Sequence, residues 1–286
     1  MRTETSIRPV LVAGLGVALL SFMDAVMKVV SASYPIAEVV GLRYLAGATF
    51  SCLAFLALRG EWPGLDAVRR NLVRAVIVLC TATCFFTAIA RLPLVEAITL
   101  TFLAPLLMAV LGFFILREPI GPRTLIGIGL GLVGVVVIAH GQQVDETKHF
   151  DLIGLAAALG CAFFYALSMV LMRQQSAKDS VLTIVVLSNV FAFVLVIPLM
   201  LWNWQTPTQT HLLVFTTAGL LGTMGHLCMA WAYSRAHAGR LGLLEYTAFV
   251  WAMIFGYFAF SEIPTTWTLG GATLIMVACL FALMRR

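Results

Sequence analysis

The chain has 286 residues, of which 61% are hydrophobic and 11% are charged, and its mean hydropathy is +1.00. This mixture is far from that of a soluble globular domain and is typical of an integral membrane protein. The net charge of +5 is therefore not evidence for nucleic-acid binding, because lysine and arginine in such a chain report the orientation of the loops in the membrane.

Ten apolar stretches are long enough to cross a hydrocarbon core of ~30 Å. In chain order they are Val10–Val30, Ile36–Leu58, Leu72–Ala90, Leu94–Leu116, Pro122–Ala139, Leu152–Met172, Val181–Leu201, Leu212–Ala232, Leu241–Phe260 and Trp267–Met284. The sequence therefore predicts an all-α membrane protein with ten transmembrane helices.

An internal repeat organises these spans. Residues 11–140 correspond to residues 155–284 with a shift of 144 positions and no gap. The matched pairs include Gly16 and Gly160, Cys84 and Cys228, and Gly127 and Gly271. The pattern predicts two five-helix repeats, at 1–143 and 144–286, that form one transport unit. Because five is odd, the second repeat enters the membrane from the opposite side, which predicts a 5+5 inverted repeat.

The positive charges predict the orientation. With both termini in the cytoplasm, nearly all lysines and arginines outside the spans lie on the cytoplasmic side, and Lys28, Arg91 and Lys148 lie outside. This asymmetry agrees with the positive-inside rule. It predicts cytoplasmic N and C termini in a bacterial-type inner membrane.

Soluble domains and catalytic motifs are not found. The longest connections are about a dozen residues, and there is no HExxH, GxSxG, P-loop or paired-aspartate motif. The six cysteines all lie within predicted spans, and none has the spacing of a zinc or redox pair. The sequence therefore predicts a protein that is not an enzyme, with no cofactor and no metal.

Ionisable residues within the outer halves of the first two spans are the first candidates for function. Asp24 and Arg43 both lie ~10 Å below the outer surface at 1.5 Å per residue, which predicts an ion pair between them. Lys28 and Glu38 are matched in the same way nearer the boundary. Such charges are costly in a membrane and usually face the bundle interior. They predict a fixed salt-bridge network, with an outer gate, or a charged lip that holds the carboxylate and ammonium of a zwitterionic substrate, as the functional alternatives.

A second candidate cluster lies at the inner side, where His226 and Glu245 occur at similar depths in the eighth and ninth spans. A histidine beside a carboxylate can exchange protons near neutral pH, so the pair is a candidate for proton coupling. The alternative is a structural role, with a buried glutamate bonded to helix ends and a histidine packed on an apolar face.

Aromatic side chains occur at related depths. The candidate lining residues are Tyr44, Phe85, Tyr165, Trp231, Tyr246 and Trp251. A mostly apolar, aromatic cavity with few polar groups suits a small amphipathic metabolite. A phosphate carrier would be expected to bring several cations into the core, and the sequence indicates only Lys28 and Arg43 there.

Glycine and proline mark two further features. The fifth predicted span contains Gly127, Gly129, Gly131 and Gly134, which indicates close helix packing, with a homodimer contact or a sliding surface as the alternative. Pro105 lies within the fourth predicted span, where it removes a backbone hydrogen bond and predicts a kink.

Several strings resemble a known family. They are Ser21-Phe22-Met23-Asp24-Ala25 followed by Lys28, Pro35 with Arg43-Tyr44, the run from Leu92 to Glu118-Pro119, and the second-half run that ends in Glu262. Together with the duplicated spans they resemble the EamA family of the drug/metabolite transporter superfamily over almost the whole chain.

This resemblance implies a secondary transporter with a central cavity lined by spans 1, 3, 4, 6, 8 and 9. Many members of the family export amino acids or related metabolites, and others import riboflavin or S-adenosylmethionine. We therefore expect an exporter of amino acids, including hydrophobic and aromatic ones, that works by alternating access, with import of a vitamin or cofactor as the alternative. A channel remains a further alternative, although no ring of identical polar residues is present.

Overall fold

The computed structural model describes residues 8–60, 62–117, 120–144, 151–175, 180–233 and 244–283. Within these ranges the chain is helical and contains no β-strand. The helices of the first part are α1 (Arg8–Ser31), α2 (Ile36–Ala57), α3 (Leu65–Arg91), α4 (Leu94–Thr101), α5 (Ala104–Leu116) and α6 (Pro122–Val144). Those of the second part are α7 (Leu152–Gln175), α8 (Val181–Trp202), α9 (Gln209–Tyr233), α10 (Thr247–Phe260) and α11 (Thr266–Leu283).

The apolar helices agree with a multi-pass membrane protein. Among the described residues, eight segments are long and apolar enough to cross a membrane, judged by length and composition, and one of them joins α4 and α5 into Leu94–Ile115. Two shorter apolar helices, Thr247–Phe260 and Thr266–Ala282, correspond to the last two predicted spans. The ends of the chain, and with them the predicted position of both termini, lie outside the described residues.

The fourth predicted span is interrupted. α4 ends at Thr101 and α5 begins at Ala104, with Pro105 in the first turn of α5. A similar interruption precedes α10, where Tyr246 lies outside the helix and the residue equivalent to Pro105 is Phe249. Because the second interruption has no proline, the missing backbone hydrogen bond of Pro105 is not by itself the cause of the first.

Helices from the two parts of the chain pack against one another throughout. α6 packs on α11 and α2 on α8, while α1 packs on α9 and α3 on α7. The first two pairings join helices that are equivalent under the shift of 144 residues. Under the same shift α1 is equivalent to α7 and α3 is equivalent to α9, so the α1–α9 pairing becomes the α7–α3 pairing.

Small residues permit two of these close contacts. A Cβ on Gly134 would lie 2.9 Å from the carbonyl oxygen of Gly271, and a Cβ on Gly127 would lie 2.9 Å from that of Ala278. Backbones can approach this closely in a membrane only where side chains are absent or small. The α6–α11 contact therefore explains the glycines at these positions by packing within one chain.

Candidate functional site

A polar network connects the two parts of the chain at the end of the bundle where α1 ends and α4 begins. Lys28 on α1 forms an ion pair with Glu262, with Nζ and Oε1 2.5 Å apart, and donates a hydrogen bond of 2.8 Å to the carbonyl oxygen of Leu92. The second carboxylate oxygen of Glu262 accepts a 2.8 Å hydrogen bond from the backbone N–H of Leu94. One lysine and one glutamate thereby tie α1 to the starts of α4 and α11.

Further contacts extend this polar network. Glu38, which is fully buried, accepts a 2.9 Å hydrogen bond from the backbone N–H of Gln205. The hydroxyl of Tyr34 lies 2.7 Å from Nδ1 of His211. Glu96 accepts hydrogen bonds from Thr268 and Gln142, at 3.0 and 2.8 Å. Each contact except the Gln142 bond joins residues from different halves, so polar groups hold the halves together at this end.

The predicted pairing of Lys28 with Glu38 is wrong. Equal depth in neighbouring helices suggested it, but α1 packs chiefly along α9, and the Lys28 side chain points toward the links that precede α4 and α11. Glu38 points instead toward the link between α8 and α9, where it meets Gln205.

A second polar group lies deeper, between α1, α2, α3, α8 and α9. We call it the central polar cluster, and its members are Asp24, Arg43, Tyr44, Arg74, Asn189 and His226. The guanidinium of Arg43 is its centre: Nη1 donates to Oδ1 of Asn189 at 3.1 Å and Nη2 contacts Sδ of Met23 at 3.8 Å. The Arg43 guanidinium also lies 4.4 Å from the centroid of the Tyr44 ring, within cation–π distance.

The predicted ion pair between Asp24 and Arg43 is also wrong in its direct form. The carboxylate lies within charge–charge range of the guanidinium, but in the described part of the chain the two groups form no salt bridge. Asn189 and Met23 occupy the guanidinium nitrogens. Asp24 keeps some solvent-exposed surface, so its carboxylate is available to another partner.

His226 belongs to this cluster. Its Nδ1 lies 2.6 Å from the carbonyl oxygen of Gly222 on its own helix, and its ring is within charge–charge range of both Arg43 and Arg74. The side chain is exposed although it is surrounded by these interior groups, which indicates open space beside it. Glu245 lies half-buried immediately before the interruption at Tyr246, and its predicted partnership with His226 stays a prediction.

The predicted aromatic residues divide among several packing contacts. Tyr246 packs edge-on against Phe102, with ring centroids 5.2 Å apart. Trp251 stacks on Phe255 at 5.8 Å, and Phe255 in turn contacts Phe22 on α1. Phe85 contacts its neighbour Phe86. Tyr165 packs against the hydrophobic core, and Trp231 is exposed on α9. Tyr44 belongs to the central polar cluster through its contact with Arg43.

Two members of the cluster were not identified from the sequence. Arg74 was assigned to the cytoplasmic side, but its side chain is only 8% exposed and lies within charge–charge range of Tyr44. The interior therefore contains Arg74 in addition to Lys28 and Arg43, and the prediction of two interior cations is wrong. Asn189, which is buried, could have been found as an amide within the apolar span Val181–Leu201.

Metal binding has no support in the described ranges, because no group of three or more histidine, cysteine, aspartate or glutamate side chains there could hold an ion. The six cysteines are free thiols. Cys84 lies beside Gly160, and Cys228 lies beside Gly16, so both act as small packing residues between helices.

Comparison with known proteins agrees with this architecture. The EamA-like transporter family matches the chain twice, over residues 7–140 and 152–284. The pseudopaline exporter CntI of Pseudomonas aeruginosa is 30% identical over 275 residues, which cover 95% of this chain and 94% of the exporter. An S-adenosylmethionine uptake transporter of Rickettsia bellii is 25% identical over 211 residues, covering 74% of this chain and 71% of the transporter.

A solved crystal structure aligns with a TM-score of 0.66 and 20% identity over 96% of both chains, a likeness that supports the fold alone. The family resemblance noted from the sequence is confirmed, because the family matches both halves and a relative with 30% identity covers nearly the whole chain. The chain belongs to the EamA-like transporter family and is a multi-pass membrane protein of a family that transports small molecules.

Proposed function

We propose that the protein is a secondary transporter of the bacterial inner membrane that exports amino acids or closely related metabolites by alternating access. The two halves, 1–143 and 144–286, are inverted five-helix repeats with both termini in the cytoplasm. The substrate binds between the halves at the central polar cluster, and relative movement of the halves exposes it to each side in turn.

Contacts between equivalent residues support the inverted repeat. Phe102 and Tyr246 are equivalent under the shift of 144, and their rings touch. The contact of Gly16 with Cys228 has its counterpart in the contact of Gly160 with Cys84. A residue that touches its own equivalent lies on an axis relating the two halves, as expected where inverted repeats face each other.

One observation carries the transport proposal: charged groups lie between the halves beneath a closed outer end. Lys28 and Glu262 join the halves at the outer side, while Asp24 and His226 keep exposed surface further in. Burying ionisable groups in a membrane is costly, so they are retained there where they serve a substrate or ion. The arrangement corresponds to a carrier closed toward the outside, with its binding groups in place.

Export is favoured by the pseudopaline exporter, a relative whose match covers 95% of this chain. Uptake of a vitamin or cofactor such as riboflavin or S-adenosylmethionine is the second candidate. It is supported by the uptake transporter that covers 74% of the chain.

Two further expectations remain part of the proposal. His226 and Glu245 are the candidates for proton coupling, and His226 keeps exposed surface between the halves. A homodimer stays a prediction as well. Gly129 on α6 and Gly270 on α11 each have open space beside them, which a neighbouring helix could occupy.

The proposal is tested with purified protein in liposomes preloaded with a panel of radiolabelled amino acids. Release is followed with and without an imposed proton gradient, and protein-free liposomes provide the control. Saturable release of one or more amino acids is expected, and its dependence on the gradient reports the coupling. No release across the panel would contradict amino-acid export, and the panel would then be repeated with riboflavin and S-adenosylmethionine in uptake assays.

A further inference from the structure

The central polar cluster contains more positive than negative charge. Arg43 and Arg74 are 6% and 8% exposed, so both guanidiniums are removed from bulk water. Asp24 is within charge–charge range of Arg43. For Arg74, Tyr44 is the side chain close enough to interact electrostatically, and no carboxylate in the described part of the chain accompanies Arg74. Two cations therefore face one anion.

The hydrogen-bonding capacity of these guanidiniums is also incompletely used. Arg43 donates to the neutral amide of Asn189 and contacts a thioether sulfur. The Nε atoms of Arg43 and Arg74 are both buried without a hydrogen-bond partner among the described residues. A buried charged donor without a partner is costly, and the planar fork of arginine matches a carboxylate with two parallel hydrogen bonds.

The two guanidiniums flank one region. Tyr44 and His226 each lie close enough to both guanidiniums to interact with them electrostatically. Glycine lets the backbones of α9 and α2 lie close to these side chains, since a Cβ on Gly222 would lie 3.0 Å from Nη2 of Arg43, and a Cβ on Gly47 would lie 2.6 Å from Oδ1 of Asn189. The exposed surface of His226 and Asp24 adjoins the same region.

We propose that this site takes an amino-acid derivative with two carboxylates, one bound by Arg43 and the other by Arg74, and with its ammonium near Asp24. Such a molecule carries two negative charges and one positive charge, which is the inverse of the charge in the cluster. This inference rests on the proposed transport function and specifies its substrate class. The source of affinity is replacement of unpartnered buried donors by charge-assisted hydrogen bonds.

The test is ligand-dependent thermal unfolding of the full-length protein in detergent. The probes are the linear dicarboxylates from malonate to adipate, each paired with its monoamide, together with glutamate and glutamine. At least one dicarboxylate is expected to bind about tenfold more tightly than its monoamide, as for one additional charge-assisted hydrogen bond. Equal binding of every pair, or equal stabilisation by sulfate or chloride, would show that the arginines do not recognise two carboxylates.

Variants assign the preference to the site. Arg74→Gln should abolish the preference for the dicarboxylate, and Arg74→Lys, which keeps the charge but loses the fork, should reduce it. Arg69→Gln is the matched control, because Arg69 is exposed on the same helix, and it should keep the full preference. If Arg74→Gln retains the preference while remaining folded, the assignment is wrong.

Transport and recognition can fail separately. Preferential binding of dicarboxylates without release from liposomes would contradict the transport proposal and leave the site assignment intact. Saturable release of amino acids with one carboxylate, at rates unchanged by Arg74→Gln, would overturn the two-carboxylate site and leave the transporter intact.

Discussion

The two halves of the chain are matched where helices pack and differ where charges lie. The equivalents of the cluster's charged residues Asp24, Arg43 and Arg74 are Ser168, Leu187 and Ala218. The second half contributes the neutral partner Asn189 and the ring of His226. By contrast, Gly16 and Gly160 match, as do their neighbours Cys228 and Cys84.

This difference separates two constraints on a duplicated chain. Packing positions occur in pairs because each half presents the same surface to the other, and a larger side chain on one side would disturb both. A ligand without internal symmetry needs different groups on its two sides, so the binding residues need not match. The asymmetric positions are therefore the ones that we expect to govern recognition.

The largest effect on transport is expected when Arg43, the central cation of the first half, is replaced by the residue found at the equivalent position of the second half. Arg43→Leu places the residue found at the equivalent position 187 into α2. Losing one partner of a buried charged contact costs about 2 to 5 kcal/mol, so release from liposomes should fall about thirtyfold or more. Leu187→Met is the control, since a volume-conserving change in α8 should leave release near wild type. Normal release by Arg43→Leu would show that the asymmetry is not functional.

The next largest effect is expected at Gly222 in the second half, where the absence of a side chain leaves room for the guanidinium of Arg43. In Gly222→Ala the new Cβ would lie 2.8 Å from Sδ of Met23 and 3.0 Å from Nη2 of Arg43. Displacing a guanidinium by overpacking costs about 1 to 3 kcal/mol, and release should slow about tenfold. Gly129→Ala has nothing within 4 Å of its Cβ and serves as the control. Similar rates for the two variants would exclude a steric role for Gly222.

A smaller effect is expected at the ion pair of Lys28 with Glu262, where Lys28 has Met172 as its equivalent. Lys28→Met removes the ion pair with Glu262, and Glu262→Gln keeps the carbonyl that accepts from Leu94. A double-mutant cycle in thermal unfolding should give a coupling free energy of about 1 to 2 kcal/mol for this partly buried pair. A coupling free energy near zero would mean that the pair does not hold the halves together.

The smallest effect is expected at Asp151, which lies outside the spans. Burial raises the pKa of its carboxyl, but hydrogen bonds from Gly154 and Arg91 outweigh burial and lower the pKa below 3.8. The ionised Asp151 therefore stabilises the folded protein at pH values above its ordinary pKa. This stabilisation is lost as the pH falls through the lower pKa of the folded state. Asp151→Asn should lower the free energy of unfolding at pH 7 by at most about 1 kcal/mol. Thermal unfolding from pH 7 to about pH 2 should show the difference vanish at the acid end; a difference that persists there would contradict the assignment.

Hydropathy predicted the all-helical fold and the bounds of several helices. It could do so because the hydropathy of a segment depends on the residues of that segment alone. The predicted second span, Ile36–Leu58, matches α2 (Ile36–Ala57) to one residue. The third span was predicted to begin at Leu72, but α3 begins at Leu65. The first two turns of α3 are amphipathic, so a search for apolar stretches missed them. Arg74 therefore lies about two turns further from the start of its helix than the predicted span indicated.

Side-chain partners could not be predicted in the same way. Depth along a helix follows from sequence position, but the direction in which a side chain points depends on which helices are neighbours. Lys28 and Glu38 share a depth and yet point to different links, and Asn189 lies on a helix far from Arg43 in sequence. The helix interruption at Tyr246 could not be predicted either, because no proline occurs there and the residue equivalent to Pro105 is Phe249.

Alternating access is tested most directly by the rate of release of the amino acid that the liposome panel identifies, measured over a range of internal concentrations, with and without unlabelled amino acid outside. A carrier that exposes one site to each side in turn should show a rate that saturates with internal concentration and changes when external substrate is added. A rate that rises linearly and ignores external substrate would identify a channel and contradict the account.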